Sequence, residues 1–192
     1  MPQNRNIWPK IISGVVVCEI AGAIAALMTA SAVRDWYPTL MKPSWTPPSS
    51  LFGPVWMVLY AMMGAALGLI WANGQNPQRE KRAVNWFWVQ LALNVLWCAV
   101  FFGLRNPGWG YVVIITLWLA IAANLWLFSK ISPTAAWLLV PYFLWVTFAS
   151  TLNFSILSLN IIRPGMQKMD ADPLNGKPYR KAPEFRNGMK HD

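Results

Sequence analysis

Five apolar segments, each long enough to cross a bilayer, constrain this chain more than any other feature of its sequence. The first covers residues 11–33 and is interrupted by one charged side chain, that of Glu19. A membrane-spanning helix needs about 20 apolar residues, and only helices or closed barrels satisfy every backbone polar group in lipid. The sequence therefore predicts an all-α integral membrane protein, a five-transmembrane-helix bundle with helices at about residues 11–33, 51–72, 83–104, 109–128 and 134–162.

A segment rich in tryptophan and proline connects the first two predicted helices. It reads WYPTLMKPSWTPPSSLFGPVWMVLY over residues 36–60. Its prolines prevent a continuous helix up to about Pro48, because proline lacks an N–H group and disfavours helix in the residue before it. Pro54 is tolerated in the first turn of the next helix. We expect residues 36–48, loop 1, to form a stiff aromatic lid beside a pocket wall that carries Trp56 and Tyr60.

Side chains at helical spacing predict which faces of the later helices point inward. Amides in hydrocarbon need hydrogen-bond partners, so the row that contains Gln90 and Asn94 should point into the bundle, as a contact between helices or as a ligand contact. Three rows are predicted to face the interior: Trp56, Tyr60, Met63 and Leu67; Gln90, Asn94, Trp97 and Phe101; and Pro141, Trp145, Ala149 and Asn153.

The thirteen tryptophans have two explanations. Some fit a belt at head-group depth, namely those near predicted helix ends: Trp8, Trp71, Trp86 and Trp137. Others fit a pocket for a flat, apolar, aromatic ligand, namely those on inward rows: Trp56, Trp97 and Trp145. At the mouth of such a pocket, Lys42 and Arg34 are predicted to pair with ligand carboxylates.

The first predicted helix carries two further features. One is a row of small residues, which brings it close either to another helix of the same chain or to a second copy in a homodimer. This row consists of Gly14, Cys18, Gly22, Ala26 and Ala30. The other is Glu19, an acid at membrane depth and thus a candidate for a functional role such as proton transfer. Protonation of Glu19, or contact of its side chain with water, explains the residue without a functional role.

The remaining composition argues against several function classes. Cys18 and Cys98 lie in apolar segments and are predicted to be unpaired core residues, and the single histidine, His191, lies in a polar tail. The sequence has no zinc-type cluster, catalytic triad or phosphate loop, so we expect no metal site and no conventional hydrolase. The net charge of +9 predicts contact with anionic head groups rather than with nucleic acid.

The chain divides into a membrane domain, residues 1–162, and a basic polar tail, residues 163–192. Five spans place the two termini on opposite sides of the membrane. Six basic residues lie on the side of the N-terminus and ten on the side of the C-terminus, seven of them in the tail. The positive-inside rule then predicts a cytoplasmic C-terminus.

Four motifs resemble one known family. They are W-Y-x-x-L-x-K-P-x-W-T-P-P with G-P-V-W-x-x-L-Y at residues 36–60, L-x-L-N-x-x-W-x-x-x-F-F-G at 91–103, G-W at 108–109, and A-W-L-L-x-P-Y-x-x-W-x-x-F-A-x-x-L-N at 136–153. Together they resemble the tryptophan-rich sensory protein family, TspO/MBR, whose mitochondrial members are called translocator protein or peripheral-type benzodiazepine receptor. The resemblance spans about residues 11–160.

This resemblance implies a ligand pocket and a choice of functions. The family binds porphyrins, and some members bind benzodiazepine-type drugs, so we expect a tetrapyrrole such as protoporphyrin IX as ligand and no required cofactor. By motif position the pocket falls on Tyr37, Pro47, Trp56, Tyr60, Asn94, Trp97, Trp109, Trp145 and Ala149. The expected function is a porphyrin-binding sensory or regulatory membrane protein. The alternatives are a porphyrin transporter and a light-dependent porphyrin-degrading enzyme that uses Trp56 and Trp145.

Overall fold

The computed structural model describes residues 6–73 and 75–162 and forms an all-α bundle over these ranges, without β-strands. Each of its five long helices is long and apolar enough to cross a membrane, which confirms the predicted fold class. The helices are α1 (Trp8–Asp35), α2 (Ser49–Asn73), α3 (Pro77–Cys98), α4 (Pro107–Ser129) and α5 (Pro133–Leu157). Helices α3 and α5 continue into π-helical turns at Ala99–Gly103 and Ser158–Ile162. The predicted polar tail, residues 163–192, lies outside the described residues.

Helices α3, α4 and α5 all begin with a capping residue followed by proline. The side chain of Asn76 accepts hydrogen bonds from the backbone N–H groups of the next turn, and Asn106 and Ser132 cap α4 and α5 in the same way. Proline in the first turn loses no hydrogen bond. Helix α3 therefore starts at Pro77 rather than near residue 83, the start predicted from the sequence.

Helices α1 and α2 pack with their backbones in contact at three glycines. A Cβ atom added to Gly14 would overlap the carbonyl oxygen of Gly64, and one added to Gly68 would overlap the backbone of Ile11. Such close approach is typical of small residues at helix contacts in membranes. At Gly14 the small-residue row therefore packs within the chain.

Buried polar side chains link α2, α3, α4 and α5. The Tyr60 hydroxyl donates to Oδ1 of Asn94, whose amide donates to the Tyr142 hydroxyl at 3.1 Å. The Trp97 indole N–H donates to Oδ1 of Asn153 at 3.2 Å. The predicted inward row of α3 is confirmed, since all four of its members are buried: Gln90, Asn94, Trp97 and Phe101.

Loop 1 is held in place by hydrogen bonds between its backbone and two side chains, those of Lys42 and Asn160. The Lys42 ammonium donates to the carbonyl oxygens of Tyr37 and Leu40, at 2.8 and 3.0 Å. The Asn160 side chain accepts a hydrogen bond from the Met41 N–H group at 2.9 Å and donates one to the Met41 carbonyl oxygen at 2.8 Å. Loop 1 is thus fixed both to itself and to the end of α5.

Candidate ligand-binding site

A cavity of about 760 Å³ lies between α1, α2, the end of α3 and α5. Its volume is in the range of small-molecule sites, which commonly measure about 300–1,000 Å³. Most of its lining is aliphatic or aromatic, and loop 1 contributes the Tyr37 side chain. The cavity is therefore suited to an apolar ligand of considerable size.

Aromatic side chains form one wall of the cavity. Trp56 and Tyr60, one turn apart on α2, have ring centroids 5.6 Å apart and an interplanar angle of 34°. Trp97 and Phe101 on the α3 side also lie 5.6 Å apart, and Phe102 follows in the π-helical turn. Broad π-surfaces of this kind stack on a flat ring system without demanding a particular pattern of hydrogen bonds.

Small residues of α1 also line the cavity, a use that their spacing in the sequence does not predict. Gly22, Ala26 and Ala30 line the cavity, although they belong to the same row as Gly14, which packs against α2. A row of small residues permits either close helix contact or open space, so spacing alone does not separate the two. Here Gly14 and Gly22 pack against α2, at Gly64 and at the Tyr60 ring, while Ala26 and Ala30 face the cavity.

The polar groups of the cavity are few and include no lysine or arginine among the described lining residues. At the loop 1 end lie the hydroxyl groups of Tyr37, Ser49 and Ser50, and further along α1 lies the Glu19 carboxyl group. Burial raises the pKa of the Tyr37 phenol, because a low-dielectric environment disfavours the phenolate. The Tyr37 hydroxyl therefore stays protonated and keeps its ability to donate.

The two cations expected at the pocket mouth are engaged elsewhere. The Lys42 ammonium is bonded to loop carbonyls and lies 4.9 Å from the centroid of the Tyr37 ring. Arg34 is exposed and pairs with Asp35 at 3.2 Å. Neither lines the cavity, because the carbonyl groups of loop 1 and the neighbouring acid offer nearer partners.

Five of the nine predicted site residues line the cavity, namely Tyr37, Trp56, Tyr60, Trp97 and Ala149. Two more lie behind its wall. Asn94 is fully buried and is bonded to the Tyr60 hydroxyl. Trp145 packs on Phe52, itself a lining residue, with ring centroids 5.8 Å apart.

The other two predicted site residues, Pro47 and Trp109, are not brought to the cavity. Pro47 is half-buried in loop 1, and the Trp109 side chain is 66% exposed on α4. The inward row predicted for α5 is only partly correct: Ala149 and Asn153 are buried, whereas Pro141 is exposed. Successive i+4 positions rotate by about 40° around an α-helix, so such a row does not stay on one face.

Of the four tryptophans predicted to form a belt at head-group depth, three are exposed. Trp8, Trp86 and Trp137 are 64%, 38% and 71% exposed. Trp71 differs, because it is partly buried and packs against the core. Its carbonyl oxygen accepts a hydrogen bond from the Lys10 ammonium at 2.5 Å, which joins the end of α2 to the start of α1.

Fold and cavity together define a class of protein, a multi-pass helical membrane protein with an aromatic-walled cavity among its spanning helices. The sequence profile of the TspO/MBR family matches residues 14–159, which is more than half of the chain. The chain therefore belongs to the TspO/MBR family.

Individual relatives are similar over most of their length. The chain is 43% identical to the Tryptophan-rich protein TspO of Chlorobaculum tepidum over 144 residues, 75% of this chain and 91% of that one. It is 34% identical to the Tryptophan-rich sensory protein of Cereibacter sphaeroides over 158 residues, 82% and 95% of the two chains. It is 40% identical to the Translocator protein of Homo sapiens over 122 residues, 63% and 72% of the two chains.

Proposed function

We propose that this protein binds a tetrapyrrole of the protoporphyrin IX type in the cavity and acts as a sensory or regulatory membrane protein. The observation that carries the proposal is the aromatic wall formed by Trp56, Tyr60 and Trp97 on one side of a large apolar cavity. A flat macrocycle gains dispersion and quadrupole interactions from such rings, and apolar burial adds to its affinity. The name of one relative, a Tryptophan-rich sensory protein, agrees with a sensory role.

The small residues of α1 support the same ligand class. Ala26 and Ala30 leave a flat face of α1 along the cavity, whereas Gly22 packs against the Tyr60 ring, so a planar guest is accommodated beside the two alanines without displacing a large side chain. The hydroxyl groups of Tyr37 and Ser49 offer donors to the polar edge of the guest at the loop 1 end. No added cofactor enters this scheme.

Titration of the purified protein with protoporphyrin IX in the dark tests the proposal. Trp56→Ala removes a stacking ring and should weaken binding on the order of five-fold, since aromatic pairs contribute about 0.5–1.5 kcal/mol beyond area burial. Ala149→Leu should also weaken binding, by filling the cavity. The matched control is Trp137→Ala, because Trp137 is 71% exposed and outside the cavity. Equal affinities of the Trp56 and Trp137 variants would place the ligand elsewhere.

A second candidate function, light-dependent degradation of the bound porphyrin, draws on one observation. The Trp56 indole lines the cavity directly and is thus positioned to exchange electrons with an excited guest. The absorbance of the porphyrin complex, recorded over time under illumination, tests this activity. Loss of absorbance that is much slower in Trp56→Phe than in Trp137→Phe would support degradation, whereas equal rates in both would argue against it.

Membrane orientation and self-association are proposed alongside this function. The seven basic residues of the tail favour a cytoplasmic C-terminus, and the exposed face of α1 offers a surface for a homodimer. Reporter fusions at the two ends test the orientation, and mass measurement of the purified protein in nanodiscs tests the dimer. A reporter that places the C-terminus outside the cytoplasm would contradict the proposed orientation. A monomer mass would contradict the proposed homodimer.

A further inference from the structure

A cleft of about 440 Å³ lies at the end of the bundle opposite loop 1, and none of its lining residues belongs to the aromatic-walled cavity. Three helices contribute its lining residues, which are Pro9, Lys10, Ser13, Trp71 and Glu80. Lys10 is the third residue of α1, Trp71 the third from the end of α2, and Glu80 the fourth of α3. Because successive spans alternate in direction, these three helix ends meet on one side of the membrane.

The length of α1 places this cleft at the depth of the lipid head groups. Helix α1 has 28 residues, which corresponds to about 42 Å at 1.5 Å per residue. The hydrocarbon core of a bilayer is only about 30 Å thick. The first turn of α1, which carries Lys10, therefore extends into the head-group region, where a charged side chain keeps its hydration and meets the phosphates of the lipids.

The described lining of the cleft contains one cationic and one anionic side chain, and both are partly buried. The Lys10 ammonium donates a hydrogen bond to the carbonyl oxygen of Trp71 at 2.5 Å. This bond fixes the position of the ammonium and uses only one of its three N–H donors. Within residues 6–73 and 75–162, the Glu80 carboxylate forms no ion pair, either with Lys10 or with another side chain. Two opposite charges that line one cleft without pairing suit a ligand that carries both charges itself.

These charges specify the head group of such a ligand. A phosphodiester would accept hydrogen bonds from the Lys10 ammonium and the Ser13 hydroxyl, and charge-assisted bonds of this kind are the stronger class. Glu80 would accept hydrogen bonds from an ammonium group that carries hydrogens. A quaternary ammonium has no hydrogen to donate, and an uncharged glycerol head group would leave Glu80 near the phosphate without a counter-charge. Phosphoethanolamine meets both requirements.

An apolar surface of α1 continues from the cleft toward the middle of the membrane. Ile12 and Val16 follow Pro9 by three and seven positions, which places them on the same side of the helix, and both are exposed. A phospholipid whose head group occupies the cleft would cover this surface with its acyl chains. A soluble phosphate ester would make no such contact, so the surface favours a lipid as the source of the head group.

We propose that this cleft binds a zwitterionic phospholipid with a primary ammonium group, of the phosphatidylethanolamine type. Lys10 and Ser13 bind its phosphate, Glu80 binds its ammonium group, and the apolar side of α1 contacts its acyl chains. One bound lipid thus joins the ends of α1, α2 and α3. The site shares no residue with the porphyrin cavity, so the inference does not rest on the proposed function.

Lipid titrations of the full chain in detergent, followed by native mass spectrometry, test the site. The ligands are phosphatidylethanolamine, phosphatidylcholine and phosphatidylglycerol with identical acyl chains, so that only the head group differs. The wild type should bind phosphatidylethanolamine roughly five-fold more tightly than the other two, at the upper end of what a partly exposed ion pair contributes. Free phosphoethanolamine, which has no acyl chains, should bind much more weakly. Equal affinity for it would overturn the assignment to a lipid and indicate a soluble phosphate ester.

Two substitutions separate the roles of the charged side chains. Glu80→Gln should abolish the preference for phosphatidylethanolamine and strengthen binding of phosphatidylglycerol, because the negative charge near its phosphate is removed. Lys10→Gln should weaken all three lipids by a similar factor, since each carries the phosphate, and Lys10→Arg should restore their binding. The matched controls are Asp35→Asn and Lys130→Gln, which change the charge equally at exposed positions outside the cleft and should bind like the wild type.

Three results overturn the inference. They are a wild type that binds phosphatidylethanolamine and phosphatidylcholine equally, a preference that persists in Glu80→Gln, and an equal loss of preference in Asp35→Asn. If Lys10→Gln does not fold, Lys10→Arg and Glu80→Gln still decide the question, because a gain in phosphatidylglycerol binding requires a folded protein. Titration with protoporphyrin IX is a separate measurement, so failure of the lipid site and failure of the porphyrin site are distinguishable.

Discussion

The side-chain amide of Asn160 pairs with the backbone of Met41 through two hydrogen bonds, 119 positions apart in sequence, at 2.9 and 2.8 Å. This pair fastens loop 1 to the π-helical turn that ends α5. An intramolecular hydrogen bond contributes about 0.5–1.5 kcal/mol, and both of these bonds are exposed, so their loss should free loop 1 without unfolding the bundle.

Replacement of Asn160 tests this attachment. In Asn160→Ala the backbone amides of loop 1 should exchange with solvent roughly ten-fold faster, and bound porphyrin should dissociate faster because Tyr37 is less firmly held. Hydrogen exchange followed by mass spectrometry of peptides from residues 36–48 measures the first effect. Asn85→Ala, at an exposed position of α3, is the control and should exchange like the wild type. Unchanged exchange in Asn160→Ala would show that loop 1 is held by its other contacts.

The contact between α1 and α2 predicts opposite effects for two chemically identical substitutions. Gly14→Ala places a Cβ atom against the Gly64 carbonyl group, whereas Gly53→Ala meets no atom within 4 Å. The first should lower stability by about 1–3 kcal/mol through overpacking, and the second should raise it slightly, since alanine is the better helix former. Thermal unfolding in detergent measures both. A Gly14→Ala protein as stable as Gly53→Ala would mean that the two helices separate readily.

The hydrogen bond between Tyr60 and Asn94 should make a measurable contribution to stability. Tyr60→Phe leaves Oδ1 of the fully buried Asn94 without its donor, which should cost about 1 kcal/mol, as is usual for interhelical hydrogen bonds in membranes. Tyr111→Phe is the control, because Tyr111 is half-buried on α4 and packs on Phe154 with no hydrogen bond to another described side chain. Chemical unfolding of the two variants should differ, and equal stabilities would assign the Tyr60 hydroxyl no role in packing.

Much of the fold follows from local signals in the sequence. The length and hydropathy of the five segments predict the helices, and the spacing of Asn94 and Trp97 predicts the buried face of α3. The start of α3 was missed although the signal was present, because Asn76 and Pro77 form a cap that lies within a polar stretch. Local chemistry therefore specifies the helices and their inward faces, and their ends as well where the caps are recognised.

The cavity was harder to predict because it depends on contacts between distant segments. The role of Lys42 was misjudged, since the carbonyl groups that bind it become neighbours only when loop 1 folds. The α1 wall does not follow from spacing, because Ala26 and Ala30 are equally compatible with close packing and with open space. Trp145 packs behind Phe52 and does not line the cavity. Successive i+4 positions rotate around an α-helix, so the predicted row does not stay on one face. For Lys42 the decisive information is the folded path of loop 1, and for the α1 wall it is the relative placement of two helices.

Trp109 and Trp56 allow a last comparison between motif position and geometry. Both positions are implied as ligand contacts by the family motifs, but Trp56 lines the cavity while Trp109 is 66% exposed on α4. If stacking inside the cavity holds the porphyrin, Trp56→Phe should weaken binding a few-fold, because a smaller ring remains. Trp109→Phe should bind like the wild type. Absorbance titration of the two variants with protoporphyrin IX in the dark measures the difference. A loss of affinity in Trp109→Phe that equals or exceeds that in Trp56→Phe would mean that the ligand contacts the outer surface of α4, and the cavity would then not be the principal site.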